Sequence, residues 1–129
     1  MTQHIHPASP IGDIPNRPGM RGRNLMATEH GVTTLFVGEL LMEQGSSIPL
    51  HTHPIEEVFF VAEGSLTMQL GDETVVAEAE SVVRIPPDTP HAVLNASPET
   101  ARALTAGAWN RATWFTEGTT YLEGKPRID

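Results

Sequence analysis

From Thr33 onward the chain runs in short stretches rich in Val, Thr, Leu and Phe, broken about every eight to twelve residues by turn formers. Leu66, Met68 and Leu70 alternate with Thr67 and Gln69, which places an apolar row on one face of an extended strand. This rhythm predicts strands over Thr33–Met42, Ser47–His53, Glu57–Ala62, Ser65–Leu70, Thr74–Ala79, Val82–Ile85, His91–Asn95 and Arg102–Trp109. Gly71-Asp72 falls between two of the runs and predicts a tight hairpin. Glu73–Ser81 and Ala101–Ala108 are rich in Ala and Glu, which favour helix locally. Both are short and sit inside the strand-turn rhythm, so they are assigned to strands. Many short strands at regular spacing indicate an all-β sandwich or barrel. Residues 1–23, with Pro7, Pro10, Pro15, Pro18, Gly12, Gly19 and Gly22, read as an irregular N-terminal arm. The barrel is expected over 24–110, and 111–129 as a C-terminal extension packing on the barrel or on a partner subunit.

Composition narrows the picture. A chain of 129 residues makes one domain, and 39% hydrophobic residues imply a thin core, as in a sandwich or barrel. The absence of cysteine excludes disulfides, thiolate metal sites and cysteine nucleophiles. No basic-then-apolar leader pattern is present, and no apolar run approaches the roughly 18 residues of a membrane span. A soluble, cytoplasmic protein with no membrane partner is the expectation. Sixteen acidic against eight basic residues give a net charge of -8, which argues against nucleic acid as a partner. Arg17, Arg21 and Arg23 form a local exception, read as a solvated or subunit-contacting arm rather than a binding patch.

The chemistry concentrates in Gly45–Gly64, GSSIPLHTHPIEEVFFVAEG. His51, His53 and Glu57 share one parity, so an extended chain turns all three to one face, and Glu56 outward. Two imidazoles and a carboxylate converging on one point make a metal site. Downstream, Pro86, Pro87 and Pro90 stiffen the approach to His91. If His91 comes from a strand facing this segment across a barrel, it completes a set of three histidines and one glutamate. Imidazole suits late first-row metals, and the carboxylate adds a harder oxygen that welcomes Fe or Mn. Four protein ligands in a six-coordinate sphere leave positions for water or substrate, unlike the closed tetrahedron of a structural zinc.

These two segments resemble the paired motifs of the cupin superfamily. Gly45, five residues, His51-x-His53, three residues, Glu57, six residues and Gly64 meet every position of the first motif. Pro86, His91 and Asn95 match the second, but Glu80 and Asp88 stand where the family usually has glycine. Asp tolerates a left-handed turn, whereas Glu80 implies a different or looser turn into the following strand. The resemblance implies a small single-domain, double-stranded β-helix (jelly-roll-like) barrel. It also implies one divalent transition metal per chain (Fe, Mn, Ni, Cu or Zn) on His51, His53, Glu57 and His91, and a homodimer.

No Ser-His-Asp arrangement, phosphate-cradling loop or redox dithiol competes, so the chemistry is expected to run through the metal. The resemblance to cupin enzymes of the dioxygenase and lyase types implies that Glu57 can release the metal and act as a catalytic proton shuttle. The leading reading is a metal-dependent enzyme acting on a small oxygen-bearing organic molecule. Dioxygenase-type cleavage is the first guess, and isomerase, decarboxylase or cyclase chemistry through a metal-bound enolate follows closely. The alternative is a non-catalytic module that binds a small molecule or metal. Few basic residues, only Arg84, Arg102 and Arg111, are expected near the barrel, which disfavours a sugar-phosphate substrate. His4 and His6 sit in the arm and His30 in a turn beside Gly31. Phe59, Val61, Leu66, Met68 and Leu70 are read as core, with one or two lining a pocket. Trp109 and Trp114 are read as barrel plug or subunit contact.

Overall fold

A computed structural model describes residues 4–109 and 118–122. Its strands are β1 (Gly12–Asp13), β2 (Met20–Met26), β3 (Phe36–Met42), β4 (Ser47–Thr52), β5 (Glu57–Glu63) and β6 (Ser65–Leu70). They continue as β7 (Glu73–Glu78), β8 (Val82–Ile85), β9 (His91–Leu94), β10 (Ala101–Gly107) and β11 (Thr120–Tyr121). Among the described residues the helical structure is a single 3-10 turn, Thr28–His30, closed by Gly31 in the left-handed conformation. No helix among them is long and apolar enough to cross a membrane.

The strands form two antiparallel sheets, β1-β2-β3-β10-β5-β8 and β11-β4-β9-β6-β7. This is an all-β jelly-roll barrel. Period-two burial turns Phe59 and Val61 of β5 and Leu66 and Met68 of β6 into one core with Met42, Ile85 and Val93. Gly71-Asp72 joins β6 to β7 as a two-residue hairpin, with Leu70 opposite Glu73. The Ala- and Glu-rich runs are strands, because tertiary pairing overrides their helix propensity. The side chains of β10 that alternate inward are small, Ala101 and Ala103, and let the sheets approach.

Several boundaries move. β3 starts at Phe36 rather than Thr33, β4 stops at Thr52 before His53-Pro54, and β10 ends at Gly107 rather than Trp109. The larger change lies at the N-terminus. Proline and glycine density suggested an irregular arm up to residue 23, yet β2 crosses that boundary and pairs along β3, with Met20 opposite Met42 and Arg23 opposite Glu39. The prolines precede β2, and Gly19 with φ 78° turns the chain into it, so the turn formers punctuate a strand rather than abolish one. The three arginines then part company. Arg17 is buried, Arg21 is exposed, and Arg23 together with Arg102 clamps the buried Glu39.

Glu80 does not loosen its turn. It adopts φ 69° and Asp88 adopts φ 60°, the left-handed conformation that glycine takes without a steric penalty. Glu80 also donates its N–H to the Val61 carbonyl at 2.6 Å, which holds the strained residue in place. Glu80→Gly is therefore expected to stabilise the protein by about 1 kcal/mol, seen as a higher denaturation midpoint. An unchanged or lower midpoint would contradict this account of the turn.

Candidate metal centre

The local chain path of β4 explains how His51 comes to face inward. Ile48 pairs with Val93, but the next matched pair is His51 with His91, so β4 carries an extra residue across Pro49 and Leu50. Such a bulge re-aims the following side chain. Pro49 lacks the N–H that a regular ladder would use. His53 lies just beyond the end of β4, Glu57 opens β5, and His91 opens β9. His91 is thus the register neighbour of His51 within one sheet, not a residue facing it across the barrel. The carboxylate is what comes from the opposite sheet.

His51, His53, Glu57 and His91 are all buried. Ligand atoms of the three histidines lie within 4.8 Å of one another. Each imidazole is held through Nδ1: His51 to the Pro49 carbonyl at 2.7 Å, His53 to the Ile55 carbonyl at 3.1 Å, and His91 to the Thr89 carbonyl at 2.8 Å. A carbonyl oxygen only accepts, so each Nδ1 carries its hydrogen and donates. That leaves Nε2 of each ring as the nitrogen that could ligate a metal, with the ring oriented by a backbone partner as in metal-binding histidines generally.

Glu57 Oε1 lies 3.2 Å from His53 Nε2 and 3.4 Å from His91 Nε2, while Oε2 accepts the Thr105 hydroxyl. His91 Nε2 is fully buried and makes no hydrogen bond. Lone pairs of a carboxylate oxygen and two imidazole nitrogens aimed at the same place repel unless a proton or a cation lies among them. The orphaned His91 Nε2 and the N3O donor set therefore fit a divalent first-row metal.

The electrostatics agree. Burial, then the neighbouring His91, pushes the His51 imidazole down from 6.5 to about 4, so it stays neutral and ready to bind metal. Burial alone would raise the Glu57 carboxyl, but contacts with His53, His91 and Thr105 outweigh it and hold it at about 2. A sign follows for the metal-free protein. Between about pH 4 and 6.5 the unfolded chain binds a proton at His51 that the folded chain does not, so stability is complete above pH 6.5 and falls as pH drops. The loss from His51 is expected to total about 3 kcal/mol by pH 4. Glu57, depressed from 4.5 to about 2, adds a further loss of the same sign below that window. Melting curves of the metal-free protein from pH 7 to pH 4 check this, and a flat profile would contradict it.

The centre opens on a cavity of about 270 Å³. His51, His91 and Glu57 line it, as do Arg23 and Glu39, and Phe36, Phe59 and Ile14 contribute apolar wall. Gly38 lines it too. A Cβ there would come within 2.6 Å of the Phe36 ring, so the glycine leaves room for the aromatic wall. Of the apolar row read from the sequence, Phe59 lines the cavity, whereas Val61, Leu66 and Met68 are core.

Three contributors escaped the sequence reading. Ser9, Pro10 and Gly12 to Pro15, read only as part of the irregular arm, line the cavity. Tyr121, the sole tyrosine, reaches the site because β11 pairs with β4, and its ring lies 5.5 Å from that of His51. Thr105 is the one hydroxyl among the inward positions of β10, a signal that period-two counting could have isolated. Other expected residues lie elsewhere. Glu56 points outward and pairs with Arg84, and Arg102 is engaged with Glu39. His30 closes the 3-10 turn, where its Nδ1 accepts the Ala27 N–H and its ring stacks loosely near His6. Trp109 packs with Phe36, Ala27 and Ile55 in a second small cluster. Trp114 and Arg111, with most of the C-terminal extension, lie outside the described residues.

Residues 38–107, more than half of the chain, match the family model described as Cupin_2: Cupin domain. The chain belongs to the cupin family. A curated relative, the polyketide synthase CurC of Streptomyces cyaneus, is 38% identical over 75 residues, covering 57% of this chain and 49% of that protein. This cupin thus spans about half the length of the curated relative it matches. Among solved structures it resembles the polyketide cyclase RemF from Streptomyces resistomycificus, with TM-score 0.72 at 23% identity, covering 98% of this chain and 90% of that one. An RmlC-like cupin from Shewanella frigidimarina gives TM-score 0.69 at 19% identity, over 81% and 87% of the two chains. An oxalate oxidase in complex with glycolate gives 0.66 at 19%, over 83% and 56%. At these identities the structural likenesses establish the fold.

Proposed function

We propose that this cupin is a metal-dependent enzyme that cyclises or rearranges a small, polyketide-like carbonyl compound. The observation that carries the reading is a cluster of three buried histidines, of which His51 and His91 open with Glu57 onto a largely apolar cavity. The 38% identity to a protein named as a polyketide synthase supports the substrate class. Cyclase chemistry, second in the sequence reading, thereby moves ahead of the dioxygenase guess, for which the oxalate oxidase likeness supplies fold alone.

His51, His53, His91 and Glu57 would hold one divalent metal, whose identity among Fe, Mn, Ni, Cu and Zn the donor set leaves open. Such an ion, when bound, supplies Lewis-acid polarisation of a substrate carbonyl. The chain's own part is positioning and proton transfer. Phe36 and Phe59 pack against a flat apolar substrate and exclude water from its reacting end. Glu57, kept ionised, is in the form that accepts a proton from the carbon beside a carbonyl. In ring closure that carbon bonds to a second carbonyl carbon, whose oxygen takes up a proton to become a hydroxyl. No oxidant is consumed. A cytoplasmic homodimer is part of the same proposal, and the exposed Val58 and Val82 on the outer face of β5 and β8 support the dimer.

The test is to incubate metal-loaded protein with a panel of poly-β-carbonyl compounds while following oxygen uptake and products. The proposal expects new cyclic products without oxygen consumption, and no product from His51→Ala. Oxygen consumed in proportion to product would restore the dioxygenase reading. Tight binding without turnover would leave a ligand-binding module.

A further inference from the structure

The metal centre is held not only by its candidate ligands but by a hydroxyl on the neighbouring strand. Thr105 is buried on the inward face of β10, between Ala103 and Gly107. Gly107 is the register partner of Glu57 and Thr105 that of Phe59, so Thr105 stands two residues along the ladder on the face that Glu57 occupies. Its hydroxyl donates to Glu57 Oε2. The other oxygen, Oε1, is the one turned toward His53 Nε2 and His91 Nε2. The two oxygens of one buried carboxylate thus have separate assignments.

We propose that Thr105 is a positioning residue that fixes Glu57 as a one-oxygen ligand of the metal centre. A free carboxylate can turn about its last torsion and offer either oxygen or both. With Oε2 engaged by a charge-assisted hydrogen bond, bidentate ligation or rotation away first breaks that bond. The bond also satisfies Thr105, whose hydroxyl would otherwise be buried without a partner. A purely space-filling role would be met as well by valine, which has the same branching and nearly the same volume. The hydroxyl is therefore the atom to test. The inference rests on the metal centre described above, and proton uptake by Glu57 in the proposed reaction would then require one of its two oxygens to leave its partner first.

The experiment is titration of metal-free protein with Co2+, reading both affinity and the visible absorption spectrum, which reports coordination number and geometry. Thr105→Val is expected to weaken Co2+ binding about ten- to hundredfold, as loss of an outer partner of a ligand does, and to change the spectrum. Thr105→Ser, which keeps the hydroxyl, is expected to retain both wild-type properties. In a Glu57→Gln background Thr105→Val is expected to have little further effect, because the carboxylate it acts through is gone. Wild-type affinity and spectrum in Thr105→Val would overturn the inference, as would equal weakening with and without Glu57. Should Thr105→Val not fold, Thr105→Ala in the same titration carries the same expectation and the same refutation. A wild-type protein that takes up no Co2+ removes the metal centre itself and the inference with it. A Thr105 result that goes the wrong way in a Co2+-binding protein leaves the proposed reaction standing.

Discussion

His91→Ala is expected to lower affinity for a divalent first-row metal by more than about a hundredfold, the upper end of what loss of a mere outer partner costs. The fold is expected to survive. His91 Nε2 is a buried nitrogen with no hydrogen bond, so deleting the ring removes an unsatisfied group, and the packing loss stays within the ordinary range of about 0.5–3 kcal/mol. The clearest readout is thermal melting with and without added Co2+ or Ni2+. A ligand that binds only the native state raises the midpoint in proportion to the logarithm of its concentration over Kd. The wild-type protein should show that rise and the variant should largely lose it. Equal metal-induced shifts in both proteins would mean that His91 is a core histidine with no ligating role.

The largest expected effect on stability falls on Asn95, a fully buried side chain outside the cavity. Its amide nitrogen donates to the carbonyls of Met42 at 2.7 Å and Glu99 at 2.8 Å, and its oxygen accepts the Ser97 N–H and hydroxyl, both at 2.9 Å. One side chain therefore ties the end of β9 to the end of β3 and shapes the turn into β10. Asn95→Ala strands the buried Met42 carbonyl, loses the bond to the Glu99 carbonyl and frees the Ser97 donors, for a predicted loss of about 3–5 kcal/mol. Asn95→Asp should fare no better, since an ionised carboxylate cannot donate to either carbonyl. Urea denaturation checks this. The midpoint should drop while the slope stays constant. A loss under about 1 kcal/mol would show that water replaces the amide without penalty.

How much of this was legible in the sequence depended on the physical origin of each feature. The hairpin at Gly71-Asp72 and the alternation of Leu66, Met68 and Leu70 are local, and both appear in the fold as read. The spacing of His51, His53 and Glu57 announced side chains that come together, because residues so close in sequence reach one another through local chain path. The bulge over Pro49 and Leu50 was less visible, although a proline inside a strand pattern was its signal. Long-range features left least trace. That β10 would lie between β3 and β5, and so bring Thr105 to Glu57, follows from topology rather than from any motif. The same holds for Tyr121, which the pairing of β11 with β4 carries to His51. Residues 9–15 misled for a different reason. Proline and glycine were read as marks of an irregular arm with no place at the site, yet most of the stretch lines the cavity. Glu80 shows the converse error, in which a left-handed position was discounted for want of glycine and the backbone adopted it regardless.

The central claim is that His51, His53, Glu57 and His91 form one first-row metal site per chain. The most direct test is elemental analysis of protein grown in metal-replete medium, with a parallel titration of stripped protein. The account predicts about one bound divalent metal per chain, held where the three histidine nitrogens converge beside Glu57 Oε1. Protein that carries no metal and takes none up on titration would contradict it.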